Sequence, residues 1–269
     1  MNHKKLLLLI PGLILIMLLL VGCSETPAAP TPTQVLLPST TPTTAPPIAT
    51  PEPSPSTVTP LPTIVLPTLL EGWHWLGYEY FLFDGPPTIY FDPARISGGF
   101  PKADIILITH DHTSESDIVN IKGENTVVIG GPLAVVAVDH TLHVGEQITV
   151  KGVEIEAVPL YGGAYHPKEV GNTGFVITVD GKRFYYAGHT GFTDEMADIR
   201  CDVAFLPATY VDETAKMANT IMPKIVVLMI SSVSNPPSLS KQYNALYEKV
   251  EEIRSLFGGE VYILPLDRE

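Results

Sequence analysis

Cysteine and positive charge are both scarce in this 269-residue chain. Its two cysteines, Cys23 and Cys201, lie far apart and cannot make the set of paired bridges that marks a disulfide framework, so the fold must be held by its core. Sixteen Lys and Arg face 29 Asp and Glu, a formal net charge of −13, and the excess of acid falls almost wholly after residue 68. A surface of that sign repels a phosphate backbone and excludes nucleic acid as a partner.

The N-terminal quarter lacks the mixture of large apolar and charged residues from which a core is made. It opens with "MNHKKLLLLIPGLILIMLLLVGC", a basic start (His3, Lys4, Lys5), an apolar run and small residues before Cys23. That is the layout of a secretory signal. Its last four residues, Leu20 to Cys23, resemble the bacterial lipobox, which implies cleavage after residue 22 and lipidation of Cys23. The apolar run is also about long enough for an uncleaved membrane anchor. Either way the rest of the chain is expected outside the cytoplasmic membrane and tethered to it.

Residues 23–68 follow as a stalk: thirteen of the 26 prolines lie between 24 and 68, interleaved with Thr, Ser and Ala. Such a segment cannot donate a regular ladder of backbone hydrogen bonds and stays extended, at about 3.1 Å per residue. Residues 69–269 suit one folded domain.

In that domain short β-rich runs are punctuated by Gly, Pro and Asp. Lys151-Gly152 and Asp180-Gly181, each between alternating residues, predict hairpin turns. Helix spacing is expected over about 211–221 and 239–256. A weak repeat is also present: "TIYFDP" then "ADIILITH" is echoed by "RFYYAGHT" then "CDVAFLPATY". Strands fed by crossover helices predict a layered α/β architecture with polar clusters at the carboxyl ends of strands.

The chemistry-bearing stretch is "ILITHDHTSESD", where His110 and His112 leave a strand two positions apart. Alternate residues share a face, so both imidazoles can reach one ion. A His-x-His pair by itself is equally consistent with two solvated loop histidines. Taken with "WLGYEYFLF", "IYFDP", "DVAFLPATY" and the run from Ala157 to Met196, in this order, the stretch resembles the metallo-β-lactamase superfamily, in the branch similar to the ascorbate-6-phosphate lactonase-like metallohydrolases. The resemblance covers nearly all of residues 72–232 and implies a four-layer αβ/βα sandwich with a metal site at one edge between two sheets.

Carried over residue by residue, the resemblance implies a reduced site. His110, His112 and His166 match the ligands of the family's first metal. Ser114 and Glu115 stand where an aspartate and a histidine are expected. His189 replaces a bridging aspartate, and Ile230 replaces a distal histidine. One zinc ion on three or four histidines is the cofactor implied. Glu115 and His189 are candidate catalytic groups, His189 either as a fourth ligand or as a general base. His74, His140, His143, Asp111 and Cys201 read as structural or surface residues.

Three functions stay open on this reading. One is a tethered mononuclear zinc hydrolase of an ester, lactone or phosphoester. Another is an inactive family member that keeps the sandwich as a scaffold for binding a ligand or partner. The last is a metal-sequestering protein whose four histidines close around the ion.

Overall fold

The computed structural model describes residues 66–269, apart from 97, 163–165, 231–237 and 268–269. The expected leader, the lipidated Cys23 and nearly all of the stalk lie outside the described residues. Where the chain enters, Leu66 and Leu69 already pack against the core, and a 3-10 turn over Thr68–Leu70 leads into the first strand.

The described strands form two sheets. The first keeps chain order: β1 (Trp73–Trp75), β2 (Phe81–Phe83), β3 (Ile89–Phe91), β4 (Ile105–Ile108), β5 (Val127–Gly130) and β6 (His140–Thr141). The second has β7 (Gln147–Val150), β8 (Val153–Pro159), β9 (Thr173–Val179), β10 (Lys182–Tyr186), β11 (Val203–Pro207), β12 (Ile225–Met229) and β13 (Glu260–Tyr262), again as sequential neighbours. Each sheet begins antiparallel and turns parallel, at β3–β4 in the first and β10–β11 in the second. The repeat seen in the sequence is this pair of equivalent parallel junctions.

Local chemistry explains the turns. Lys151 (φ 48°) and Gly152 (φ 83°) join β7 to β8, and Asp180 (φ 49°) and Gly181 (φ 70°) join β9 to β10. Positive φ at both central residues is the tight hairpin geometry that matches strand twist, which is why a glycine follows each polar residue.

Alternation along the strands sorts the core into layers. In β4, Ile105 and Leu107 face the second sheet, while Ile106 and Ile108 join an outer cluster with Ile118 and Ile121. Trp73 ties the sheets together: its ring stands 5.3 Å from those of Phe83 and Phe91 and 5.0 and 4.4 Å from those of Phe184 and Phe205. Aromatic contacts of this kind add to the burial of the rings themselves.

Over β11 to β13 the outer face of the second sheet is covered by two helices, α2 (Val211–Ile221) and α3 (Leu239–Phe257), close to their expected ranges. In α3 the buried Leu246, Val250 and Ile253 recur at helical spacing, and Gly258, at φ 74°, ends it. β11 and β12, between this helical layer and the first sheet, are buried along their whole length. The layer outside the first sheet is thinner, with a four-residue helix, α1 (Glu115–Ile118), and loops. The layered α/β sandwich is present, with one outer layer reduced. No helix among the described residues is long and apolar enough to cross a membrane.

Candidate metal centre

The site forms where β4 of the first sheet and β10 of the second end close together. Beyond β4 the chain gives Thr109, then His110, completely buried, then His112, whose side chain is 37% exposed. The Thr109 hydroxyl donates to the carboxylate of the buried Asp92, and its amide donates to the other Asp92 oxygen at 2.7 Å. With its proton committed to Asp92, the Thr109 oxygen accepts from His110 Nδ1 at 2.7 Å. That chain fixes the tautomer and leaves the His110 Nε2 lone pair facing inward, where it lies 2.7 Å from His112 Nδ1.

The second sheet supplies the facing pair. His166 is buried beside a bridge to Gly162, and its Nδ1 lies 2.9 Å from the Asn172 side-chain amide nitrogen. The Asn172 oxygen is buried with no hydrogen-bond partner among the described residues. Rotating the amide would let that oxygen accept from His166 Nδ1–H and free Nε2 for the site. His189 follows β10 through Gly188, which sits at φ +61°; a Cβ on Gly188 would stand 2.6 Å from Thr109 Oγ1. Only glycine lets β10 close on β4 here.

The four imidazoles converge. Donor atoms of His110, His112 and His189 all lie within 4.8 Å of one another. The His166 ring is 4.8 Å from that of His189 and 5.5 Å from that of His110. The structure thus brings together all four histidines named from the sequence, but the tight donor group takes His189 as its third member, with His166 adjoining it. His189 Nδ1 is buried without a hydrogen bond among the described residues. A buried, unpartnered imidazole nitrogen beside two others fits a metal that takes nitrogen donors, as zinc does.

A carboxylate joins them that the sequence reading assigned no part. Glu79, in the turn between β1 and β2, is completely buried, with Oε1 3.6 Å from both His110 Nε2 and His112 Nδ1. In the sequence it is one acid in the aromatic run "WLGYEYFLF"; the readable signal was a carboxylate flanked by Tyr78 and Tyr80 in a stretch that otherwise buries itself.

The titrations follow from this packing. Burial pushes the His110 imidazole down to about 4, the Glu79 charge opposing it. Burial pushes Glu79 up, but the His112 contact and the surrounding imidazoles outweigh it and hold the carboxyl below its ordinary value. Asp92 is raised to about 7 by burial and by Glu79, against the Thr109 hydrogen bonds. Glu79 holds His112 above its ordinary value, while burial lowers His166 and His189.

Glu115 is corrected by the structure. It is the first residue of α1, exposed, and its carboxylate accepts from the Ala137 amide at 2.6 Å. The cause is local: Ser114 caps α1, its amide donating to Asp117 at 2.9 Å, and this start turns the next side chain outward. Ile230 uses its backbone, its amide donating to the Tyr78 carbonyl at 3.2 Å. His140 and His143 are exposed, His74 meets Asp267 at the edge of β1, and burial raises the Cys201 thiol to about 12, an unreactive group.

Comparison with known proteins gives the family to which this fold belongs. The model of the β-lactamase superfamily domain matches residues 73–230. A UPF0173 metal-dependent hydrolase of Pelotomaculum thermopropionicum is 31% identical over 159 residues, 49% of this chain and 70% of that protein. Among solved structures, a Parabacteroides distasonis protein assigned as a metal-dependent hydrolase aligns with TM-score 0.56 and 27% identity over 72% of this chain and 93% of that one. The metallo hydrolase Igni18 of Ignicoccus hospitalis aligns with TM-score 0.52 and 19% identity over 73% and 95%, a likeness of fold.

Proposed function

The chain belongs to the β-lactamase superfamily, and from that premise we propose that it is a metal-dependent hydrolase with a single zinc site built on His110, His112 and His189, with His166 beside them. The observation that carries the reading is the convergence of four imidazoles from two sheets on one point. The position of a second metal is not supported. Ser114 caps a helix and Ile230 holds a turn, so neither offers a donor where the family's pattern has an aspartate and a histidine.

Bound there, zinc supplies Lewis acidity toward water and toward the carbonyl or phosphoryl oxygen of a substrate. The chain's own residues orient and exclude. Asp92 and Thr109 hold His110, Asn172 holds His166, and the half-exposed His112 lies on the side open to solvent. Asn172 also lines a groove of about 320 Å³ with Leu160 and Pro132 on its apolar side and Lys168 at its rim. A small ester, lactone or phosphoester suits that mixture.

The test is the metal content of the domain purified without a histidine tag, followed by an esterase, lactonase and phosphodiesterase screen. About one zinc per chain with turnover of one class is expected. A protein that takes up no metal after incubation with zinc refutes the reading, and one that holds zinc without turnover moves it to the binding or sequestering alternatives.

We also infer, from residues 1–23 alone, that the domain is exported and lipid-anchored through Cys23, at the membrane where it would meet its small-molecule substrate. Cys23→Ser should move the protein from the membrane to the soluble fraction; unchanged membrane retention would point to an uncleaved anchor instead.

A further inference from the structure

Glu79 stands apart from the histidine loops in sequence, yet its carboxylate lies 3.6 Å from both His110 Nε2 and His112 Nδ1. We propose that Glu79 is a ligand of the same ion, a carboxylate delivered by the β1–β2 turn in place of the aspartate that Ser114 displaces; this rests on the reading of the histidines as a metal centre.

Three observations support it. The first is distance: Glu79 Oε1, His110 Nε2 and His112 Nδ1 form a triangle with sides of 3.6, 3.6 and 2.7 Å. The point equidistant from the three atoms lies about 1.9 Å from each, close to the roughly 2.0–2.2 Å bonds of zinc to nitrogen and oxygen.

The second is charge. A carboxylate removed entirely from water is stabilised by positive charge beside it, which a divalent cation at this point would supply. Asp92, the other acid buried nearby, adds to the negative field and is occupied by Thr109.

The third is the effort spent on aiming the turn. Tyr78 lies at φ 55° after Gly77 at φ 95°, a left-handed conformation that a bulky residue avoids unless its surroundings impose it. The Tyr78 carbonyl accepts from Trp75 Nε1 at 2.8 Å and from the Ile230 amide at 3.2 Å, and the Tyr186 hydroxyl donates to the Glu79 carbonyl. Ile230, standing where the family's distal histidine is expected, thus helps fix the turn that carries the replacement donor.

The experiment compares the full domain with its E79Q variant, loaded with Zn²⁺ or Co²⁺. Affinity is read by competition with a chromophoric chelator, and coordination by the Co²⁺ d–d absorption. E79Q should bind zinc about 100-fold more weakly, at or beyond the limit of the 10–100-fold expected from an outer partner, and its Co²⁺ bands should shift. The metal-free variant should melt no lower than the metal-free parent, since a buried charge has been removed. An unchanged Co²⁺ spectrum overturns the proposal whatever the affinity, because an outer partner tunes binding without leaving the coordination sphere. Failure of the parent to bind either ion overturns the metal-centre reading itself. Should E79Q not fold, E79D keeps the charge, draws the oxygen back by one methylene and is read in the same way.

Discussion

The two walls of the site are built to different standards. On the first-sheet wall, His110 is locked through Thr109 to Asp92, and Glu79 is aimed by a turn held from three sides. On the second-sheet wall, His166 has Asn172 as its side-chain partner, and His189 leaves Nδ1 buried without a hydrogen bond among the described residues. Both walls give two imidazoles, but both buried carboxylates are on the first. The first wall is pre-organised to hold a cation, whereas the second would be completed by a bound ion, which would then act as a clamp between the sheets.

The sharpest way to break this comparison is to remove a donor from each wall in turn. His112→Ala should abolish zinc binding and reduce hydrolysis by on the order of 10³-fold or more, whereas His189→Ala should leave weakened but measurable binding. Elemental analysis after gel filtration reads both; equal loss from the two variants would show the walls to be equivalent.

A smaller effect concerns pH in the metal-free protein, where His110 and Asp92 pull in opposite directions. The folded His110 titrates near 4 against 6.5 when free, so the unfolded chain binds the extra proton between these values. Its contribution is present above pH 6.5 and is lost as pH falls toward 4. The folded Asp92 titrates near 7 against 3.8, so its contribution is present below 3.8 and is lost as pH rises to 7. The two slopes nearly cancel over a shared window. Asp92→Asn removes one of them, and on acidification from pH 6.5 to 4.5 the variant should lose stability more steeply than the parent in chemical denaturation. Parallel pH profiles would contradict the opposition.

The smallest effect lies just outside the first wall. Ser114→Ala should cost about 1 kcal/mol of stability through the loss of a helix cap, with zinc content unchanged. A drop in zinc content with Ser114→Ala would return the residue to the site from which its hydrogen bonds exclude it.

How far all this was legible depends on the range of the interaction. The hairpins at Lys151-Gly152 and Asp180-Gly181, both main helices and the layered α/β class follow from local patterns and were readable. The histidines were readable as a resemblance in order and spacing, although only the structure makes His189 the third member of the tight group. Glu115 was misread for a local reason of another kind: Ser114 and Asp117 begin a helix there, and a loop residue becomes an outward-facing helix residue.

By itself the sequence determined which segments become strands, where tight turns fall and that imidazoles sit at two strand ends, because backbone preference and burial periodicity act over a few residues. Tertiary structure alone decided that Glu79 reaches His110 and His112. That contact depends on the β1–β2 turn docking against the Ile230 amide and the Tyr186 hydroxyl, partners more than a hundred residues away that no local pattern encodes.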